Sequence, residues 1–252
     1  SASSDKHVKI EKGSILHVFF FFFLEDRSSG NSFDNFDFSS FRSASQPGLN
    51  DIVKNIRKAA NDPDISGVYL DLTGLRGGFA SIEEIRNVLL EFKKSDKFIY
   101  AYSDYYTQGT LYLASVADEV WLNPEGSVEL QGFVSQIPFL KGMFEKLEIE
   151  PQVIRHGKFK SAIEPLILDK MSEENRLQIA AYMNSLWSHY TNQVALSRKS
   201  TVGQLQQIAD SMLLQTSHDA LRYGIVDKIG YMDDFISILK TKSDTKPADD
   251  LE

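Results

Sequence analysis

The chain has no cysteine. Disulfides, thiol nucleophiles and thiolate metal sites are therefore excluded, and the absence fits either a reducing compartment or a cell envelope. It also has no apolar run of membrane-spanning length. The longest, Ile15 to Leu24, falls far short of the roughly 20 residues that a spanning helix requires. With no basic leader before it and no small-residue cleavage site after it, that run reads as a strand buried on both faces rather than a signal peptide. An excess of positive charge is missing as well. Lys and Arg number 27 against 35 Asp and Glu, giving a net charge of −8 and a pI near 5.2, and no Lys/Arg-rich face stands out, so nucleic acid is not an expected partner. No internal repeat, phosphate-binding loop or metal-spaced cluster of His and Asp occurs, and no cofactor is expected.

What remains is a globular composition, with 42% hydrophobic and 25% charged residues in 252, enough to bury a full core. Residues 13–240 read as one domain that includes a long loop at 25–50, flanked by small, polar tails at 1–12 and 241–252. The loop is rich in Ser, Asn, Asp and Gly but carries Phe33, Phe36, Phe38 and Phe41, aromatics that would pin it to a surface or a neighbouring subunit.

From Leu49 the patterning alternates. Ile52, Val53, Ile56 and Ala59-Ala60 make a helical stripe with Asn50 or Asp51 as its cap. Gly67 to Leu72 is a strand, Leu75 to Ala80 a glycine turn, and Ser81 to Lys93 a helix opened by a Ser81/Glu84 capping box. A strand at Lys97 to Tyr102, a turn to Gly109, a helix from Thr110 to Ala117 and a strand at Glu119 to Leu122 follow. Pro124-Glu125-Gly126-Ser127 is a turn, Phe139 to Leu147 a helix, and Pro151 to Ile154 returns to the sheet. Strand–helix alternation implies an α/β fold with parallel pairing and right-handed crossovers. The C-terminal third is helical cover. Its longest element, Ser172 to Ser197, is opened by Ser172-Glu173-Glu174-Asn175 and has Leu177, Ile179-Ala180, Met183, Leu186-Trp187, Tyr190 and Val194 as its apolar side. Shorter helices are expected at 201–209, 217–223 and 233–239.

Few residue patterns carry chemistry. Gly77-Gly78, between a strand and a helix, occupies a position where backbone amides can face an oxyanion or phosphate, although a glycine pair there also serves plain turn chemistry. Asp71 at a strand end reads as a turn cap. His7, His17, His156, His189 and His218 share no spacing and read as solvated or locally bonded. Lys158 and Lys160 follow the strand Gln152 to Ile154 at alternate positions, so an extended chain would put both on one face. A desolvated lysine can act as a general base, because burial penalises its charged form. On spacing alone the pair reads rather as two surface lysines.

Six segments in order resemble the N-terminal half of bacterial signal peptide peptidase A, the protease IV family. They are Asp51 to Ala59, Gly67 to Leu72, Gly77-Gly78, Tyr106 to Ser115, Val120 to Gly126 and Gly157-Lys-Phe-Lys-Ser-Ala-Ile-Glu-Pro165. The resemblance covers most of the chain from Gly13 to Leu239. It implies a Clp protease/crotonase-like fold built of repeated β-β-α units, with a mainly parallel sheet and C-terminal helical cover. Long members carry two copies of this fold, with a nucleophilic serine on the C-terminal copy and its general-base lysine on the N-terminal one. The matching lysine here is Lys160, and the position matching the serine is Gln108, whose amide cannot act as a nucleophile. Ser115 lies two helical turns further on, and Ser161, beside Lys160, diverges from it.

The resemblance thus implies the lysine-bearing half of a serine–lysine peptidase acting on cleaved signal peptides, with Gly77 and Gly78 shaping the groove and this chain inactive alone. Its implied partners are a serine-bearing C-terminal copy and further subunits, in a tetramer as in the full-length family. Its implied location is the bacterial inner membrane, facing the periplasm or the cell exterior. Two other readings stay open on the residues: a non-catalytic scaffold for assembly or substrate capture, and an acyl-CoA enzyme using the Gly77-Gly78 amides.

Overall fold

The computed structural model describes residues 10–19, 24–26, 36–37, 42–43, 47–75, 77–152 and 161–243, with 36–37 and 42–43 as backbone only. The chain divides into two compact units, with the divisions between Gln131 and Gly132 and between Gln193 and Val194.

In the larger unit, β1 (Ser14–Phe19) is followed by a short antiparallel pair, β2 (Phe36–Asp37) and β3 (Arg42–Ser43). Helix α1 (Leu49–Asn61) buries Ile52, Val53, Ile56 and Ala59, the stripe expected from the sequence. Its N-cap is Gly48 rather than Asn50 or Asp51. Asp51 acts from inside the first turn, where its carboxylate accepts from the Gly48 N–H at 3.4 Å. Lys97 satisfies the other end, donating to the carbonyl oxygens of Ala59 and Asp62.

Next come β4 (Ile65–Asp71), α2 (Phe79–Phe92), β5 (Phe98–Tyr106), α3 (Gln108–Ala114) and β6 (Glu119–Val128). Helix α2 begins two residues before the expected start. Gly78 is its N-cap, its carbonyl accepting from Ser81 and Ile82 N–H at 3.1 Å each, so the Ser81/Glu84 capping box does not open the helix. Strands β5 and β6 both run past their expected ends. The Pro124 to Ser127 turn is a bulge inside β6: Ser103 pairs with Leu122 and Tyr105 with Ser127, so residues 123–126 stand opposite Asp104 alone. Local chemistry still explains it, since the Asn123 carbonyl Oδ1 accepts from the Glu125 N–H at 3.0 Å.

After the smaller unit, α7 (Val202–Asp210), α8 (Ser217–Arg222), β7 (Lys228–Ile229) and α9 (Met232–Lys242) complete the larger one. The main sheet has the order β1-β4-β5-β6-β7 and every pairing is parallel, the α/β architecture expected from the alternation. One face carries Tyr69, Tyr100, Tyr102 and Trp121, packed with Phe235 and Leu239 of α9. The alternate residues Val68, Leu70, Ile99, Ala101, Val120 and Leu122 are fully buried, as a sheet covered on both faces requires.

The smaller unit contains α4 (Lys141–Lys146), α5 (Glu164–Ile167) and most of α6 (Glu173–Ser197). Pro151 and Gln152 are irregular, and Val153 and Ile154 lie outside the described residues. The expected apolar side of α6 is buried only toward its C-terminal end. Leu177 is 67% exposed and Ala180 is exposed, Ile179, Met183, Leu186 and Trp187 are half-buried, and Tyr190 and Val194 are buried. Two short helices offer too little surface to cover seven turns. Where cover exists it is aromatic: Trp187 stacks on Tyr190 at 5.5 Å, and Phe133 meets Trp187 edge-on at 5.8 Å.

Candidate functional site

Parallel strands end at one edge of a sheet, and the helices that follow them start there, which is where α/β proteins gather ligand-facing groups. The Gly77-Gly78 turn after β4 and the Thr107-Gln108-Gly109 turn after β5 both lie at this edge, since β4 and β5 pair directly. The two turns are adjacent: Phe79 and Tyr112 rings are 5.0 Å apart, and a Cβ on Gly109 would sit 3.3 Å from Ile82 Cδ1. Gly77 has a packing reason to lack a side chain, because its Cβ would fall 3.1 Å from Leu24 Cβ. Gly78 has none, with nothing nearer than Ser81 Oγ at 4.0 Å.

Gln108 is the first residue of α3. Thr107 caps the helix, its hydroxyl oxygen accepting from Thr110 N–H at 3.2 Å. The Gln108 Oε1 accepts from the Gln131 N–H at 2.8 Å, so the amide at the expected nucleophile position holds the last residue before the division at Gly132. Ser115 is 1% exposed and donates to the Tyr112 carbonyl at 2.7 Å. It belongs to the packed end of α3. Ser103 is equally committed, donating to Tyr105 O at 2.8 Å beside the bulge.

A buried charged cluster braces α3 from behind. Arg86, 1% exposed, donates to Ser197 Oγ at 2.6 Å and lies over the Tyr112 ring at 4.7 Å, while the Tyr112 hydroxyl donates to Glu83. Burial lowers the Arg86 pKa, opposed by Tyr112 and Glu83. Burial and the Glu83 hydrogen bond raise the Tyr112 phenol.

The sheet edge also carries a pair that the sequence did not reveal. His17 on β1 pairs in register with Tyr69, stacks on its ring at 4.5 Å, and places Nε2 3.7 Å from Asp71 Oδ2. Burial pushes the Asp71 carboxyl up, but the contact with His17 and hydrogen bonding from Thr73 outweigh it and hold the carboxyl below its ordinary range. The Thr73 N–H bond to Asp71 is the expected turn cap. Only strand register brings His17 and Asp71 together, and register is non-local. On the next strands, the Asn123 side-chain amide donates to Asp104 at 2.9 Å and to the Tyr102 hydroxyl at 3.3 Å.

Lys158, Lys160 and His156 lie outside the described residues, as does His7. The segment after Lys160 is described from Ser161. There Glu164, 1% exposed, accepts from Ser172 Oγ, from Ser172 N–H at 3.2 Å and from Asn175 Nδ2 at 3.0 Å. Ser172 Oγ in turn accepts from Asn175 N–H at 3.2 Å, the expected cap of α6. The sequence marked Ser172 and Asn175 as cap residues but gave Glu164 no role. An acidic residue eight positions before the cap carries no helical signature.

Among the described residues, no group of three or more His, Asp or Glu is placed to hold a metal ion, and no helix is long and apolar enough to cross a membrane.

Residues 91–246 match peptidase family S49. The chain is 37% identical over 186 residues to Protease 4 of Salmonella typhi, covering 72% of this chain and 30% of that protein. Protease 4 of Haemophilus influenzae is 36% identical over 149 residues, covering 59% of this chain and 24% of its own length. The chloroplastic Serine protease SPPA of Arabidopsis thaliana is 34% identical over 197 residues, covering 77% and 28%. The chain therefore spans less than a third of the length of these relatives. The family match covers more than half of the chain, from α2 through β5, α3 and β6 to the C-terminal helices: the chain belongs to peptidase family S49.

Proposed function

We propose that this chain contributes the general-base lysine, Lys160, to a serine–lysine peptidase that hydrolyses cleaved signal peptides, the serine coming from another copy of the fold. The observation that carries this reading is Gln108. At the helix start that matches the serine-bearing turn stands an amide already bonded to Gln131. Ser103 and Ser115 nearby are committed to backbone carbonyls.

In the proposed reaction the neutral Lys160 amine takes the proton of the partner serine hydroxyl as its oxygen attacks the scissile carbonyl carbon. The ammonium returns that proton to the departing amine as the peptide C–N bond breaks, leaving an acyl-serine. A water, deprotonated by Lys160, then releases the acyl group and restores the hydroxyl. Gly77 and Gly78 would shape the groove. Gly78 suits this better than Gly77, whose missing side chain Leu24 explains. Assembly with a serine-bearing copy and with further subunits, a tetramer in this reading, would use apolar surface. Val134, Leu147, Ile149 and Leu177 in the smaller unit are each at least half exposed. The same reading places the protein at the bacterial inner membrane, with this domain facing the periplasm or the exterior.

The test is coexpression of the chain with a serine-bearing S49 copy. Peptidase activity is expected to return with wild-type Lys160 and to be lost with Lys160→Ala. Unchanged activity in that variant refutes the base assignment and favours a non-catalytic scaffold.

A further inference from the structure

Between Gly132 and Leu140 the smaller unit runs with no helix, strand, turn or bend. Its side chains nevertheless follow a period of two. Phe133, Ile137 and Phe139 are half-buried, while Val134, Gln136 and Pro138 are exposed, Val134 at 83%; only Ser135, also exposed, departs from the pattern. That alternation belongs to an extended chain. Both ends are held. The Phe133 ring meets Trp187 and Tyr190 of α6 edge-on, at 5.8 and 6.0 Å, and the Leu140 N–H donates to Pro165 O at 2.7 Å. Between these anchors, among the described residues, no hydrogen bond reaches the main-chain N–H and C=O groups of Phe133 to Ile137. An anchored, extended segment with an unpaired main chain is a template for one more strand. Pro138, which has no N–H, ends it.

The chemistry of the segment selects its occupant. From Leu130 to Leu140 there is no Asp, Glu, Lys or Arg, in a chain that carries a net charge of −8. A charged peptide would find no counter-charge there and would lose hydration on docking. An uncharged, apolar peptide makes the same main-chain bonds and also covers Val134 and the open sides of Phe133 and Ile137. We infer that Phe133 to Ile137 is a peptide-binding edge, on which an extended, uncharged, apolar peptide pairs as an added strand. The inference rests on the reading of this chain as part of a peptidase and names where such a peptide is held. The paired stretch is about 17 Å long. Its anchors keep it extended before the peptide arrives, which lowers the ordering cost of binding.

The experiment uses the full chain and a fluorescein-labelled Leu/Ala/Ser peptide amidated at its C-terminus. Fluorescence anisotropy should show saturable binding, weakened by more than about tenfold when the central residues of the peptide are changed to Asp. N-methylation of alternate peptide amides leaves every side chain in place and removes the donors along one edge, so one of the two registers of methylation should abolish binding. Ser135→Pro and Gln136→Pro each delete one donor of the segment, on opposite edges. The variant on the peptide side should weaken binding by at least about fivefold, the worth of one hydrogen bond. In hydrogen exchange, the amides of Phe133 to Ile137 should exchange fast in the free chain and slow by at least about tenfold at alternate residues when peptide is in excess. Absence of saturable binding, binding indifferent to N-methylation and to both proline variants, or protection that appears elsewhere but not at 133–137 would each overturn the inference. So would protection of 133–137 that rises with protein concentration without peptide, which marks a contact between copies. Should a proline variant not fold, the N-methylated peptides and the exchange pattern decide. Activity is read separately, on the chain coexpressed with a serine-bearing S49 copy. An active pair whose proline variants keep the wild-type KM overturns the inference and leaves the peptidase reading standing, whereas an inactive pair that still shows peptide-dependent protection at 133–137 removes the peptidase reading and leaves the edge.

Discussion

The Gln108 side chain accepts a hydrogen bond from the Gln131 backbone at 2.8 Å, across 23 residues of sequence. It ties the first turn of α3 to the segment that leaves β6, a segment β5 already holds through the Glu129 N–H bond to Tyr106 O at 2.7 Å. At the first residue of α3, the side chain does structural work.

Gln108→Ala should therefore lower stability by about 1 kcal/mol, the usual contribution of such a bond. For a chain of this size that corresponds to a fall in Tm of roughly 2–4 °C. Calorimetry of the purified variant checks it, and an unchanged Tm would mean that the bond contributes nothing in solution.

Arg86 is a different case, because it is charged and almost wholly buried. Arg86→Ala removes the group that Ser197 Oγ and the Tyr112 ring face and leaves the Glu83 carboxylate without that neighbouring cation. Truncating a large buried side chain, with the loss of its hydrogen bond, costs about 2–5 kcal/mol. Urea denaturation should show a loss of that order. A loss under about 1 kcal/mol would place the cluster among solvated surface pairs instead.

Gly126 has no room for a side chain: a Cβ would lie 2.5 Å from Asp104 O and 2.9 Å from Asn123 O, both rigid backbone atoms. Gly126→Ala should push the β6 bulge away from β5 at a cost of roughly 1–3 kcal/mol. Hydrogen exchange would locate the damage, with faster exchange expected at Tyr105 to Val128 and at the start of α8, whose Ser217 hydroxyl donates to Pro124 O at 2.6 Å, and none at α7.

The buried tyrosines set an alkaline limit. Burial raises the phenols of Tyr106, which donates to Trp121 O at 2.9 Å, and of Tyr112, and it pushes Tyr100 up to about 12. Each has a folded pKa above its unfolded value near 10. The stability this contributes is complete below about pH 10 and is lost as pH rises through the folded values. Absorbance at 295 nm followed together with circular dichroism should show these residues ionising only as the fold is lost. Full tyrosine ionisation near pH 10 with native dichroism retained would contradict the burial.

Much of the fold was legible because the apolar periods are clean. The Ile52/Val53/Ile56/Ala59 stripe of α1 is buried as read, and the strand–helix alternation gave a parallel sheet. What was not legible depends on pairing between distant residues. The bulge at 123–126 reads as a turn unless β5 is known to continue beside it. Gly78, rather than Ser81, caps α2, its carbonyl accepting from the Ser81 and Ile82 N–H groups. Long α6 exposes Leu177 because the short α4 and α5 cannot cover its full length. At the candidate site, sequence matched Gln108 to the serine position but could not show its bond to Gln131. Neither the His17–Asp71 contact nor the burial of Glu164 has a local signature, since each is made by register or by a helix start elsewhere in the chain.

The most direct test of the central claim is labelling with a serine-directed fluorophosphonate, on the purified chain and on its coexpressed pair with a serine-bearing copy. The account predicts no label on this chain in either sample, and label on the partner's serine that is lost when Lys160 is changed to Ala. Stoichiometric labelling of the isolated chain would contradict it.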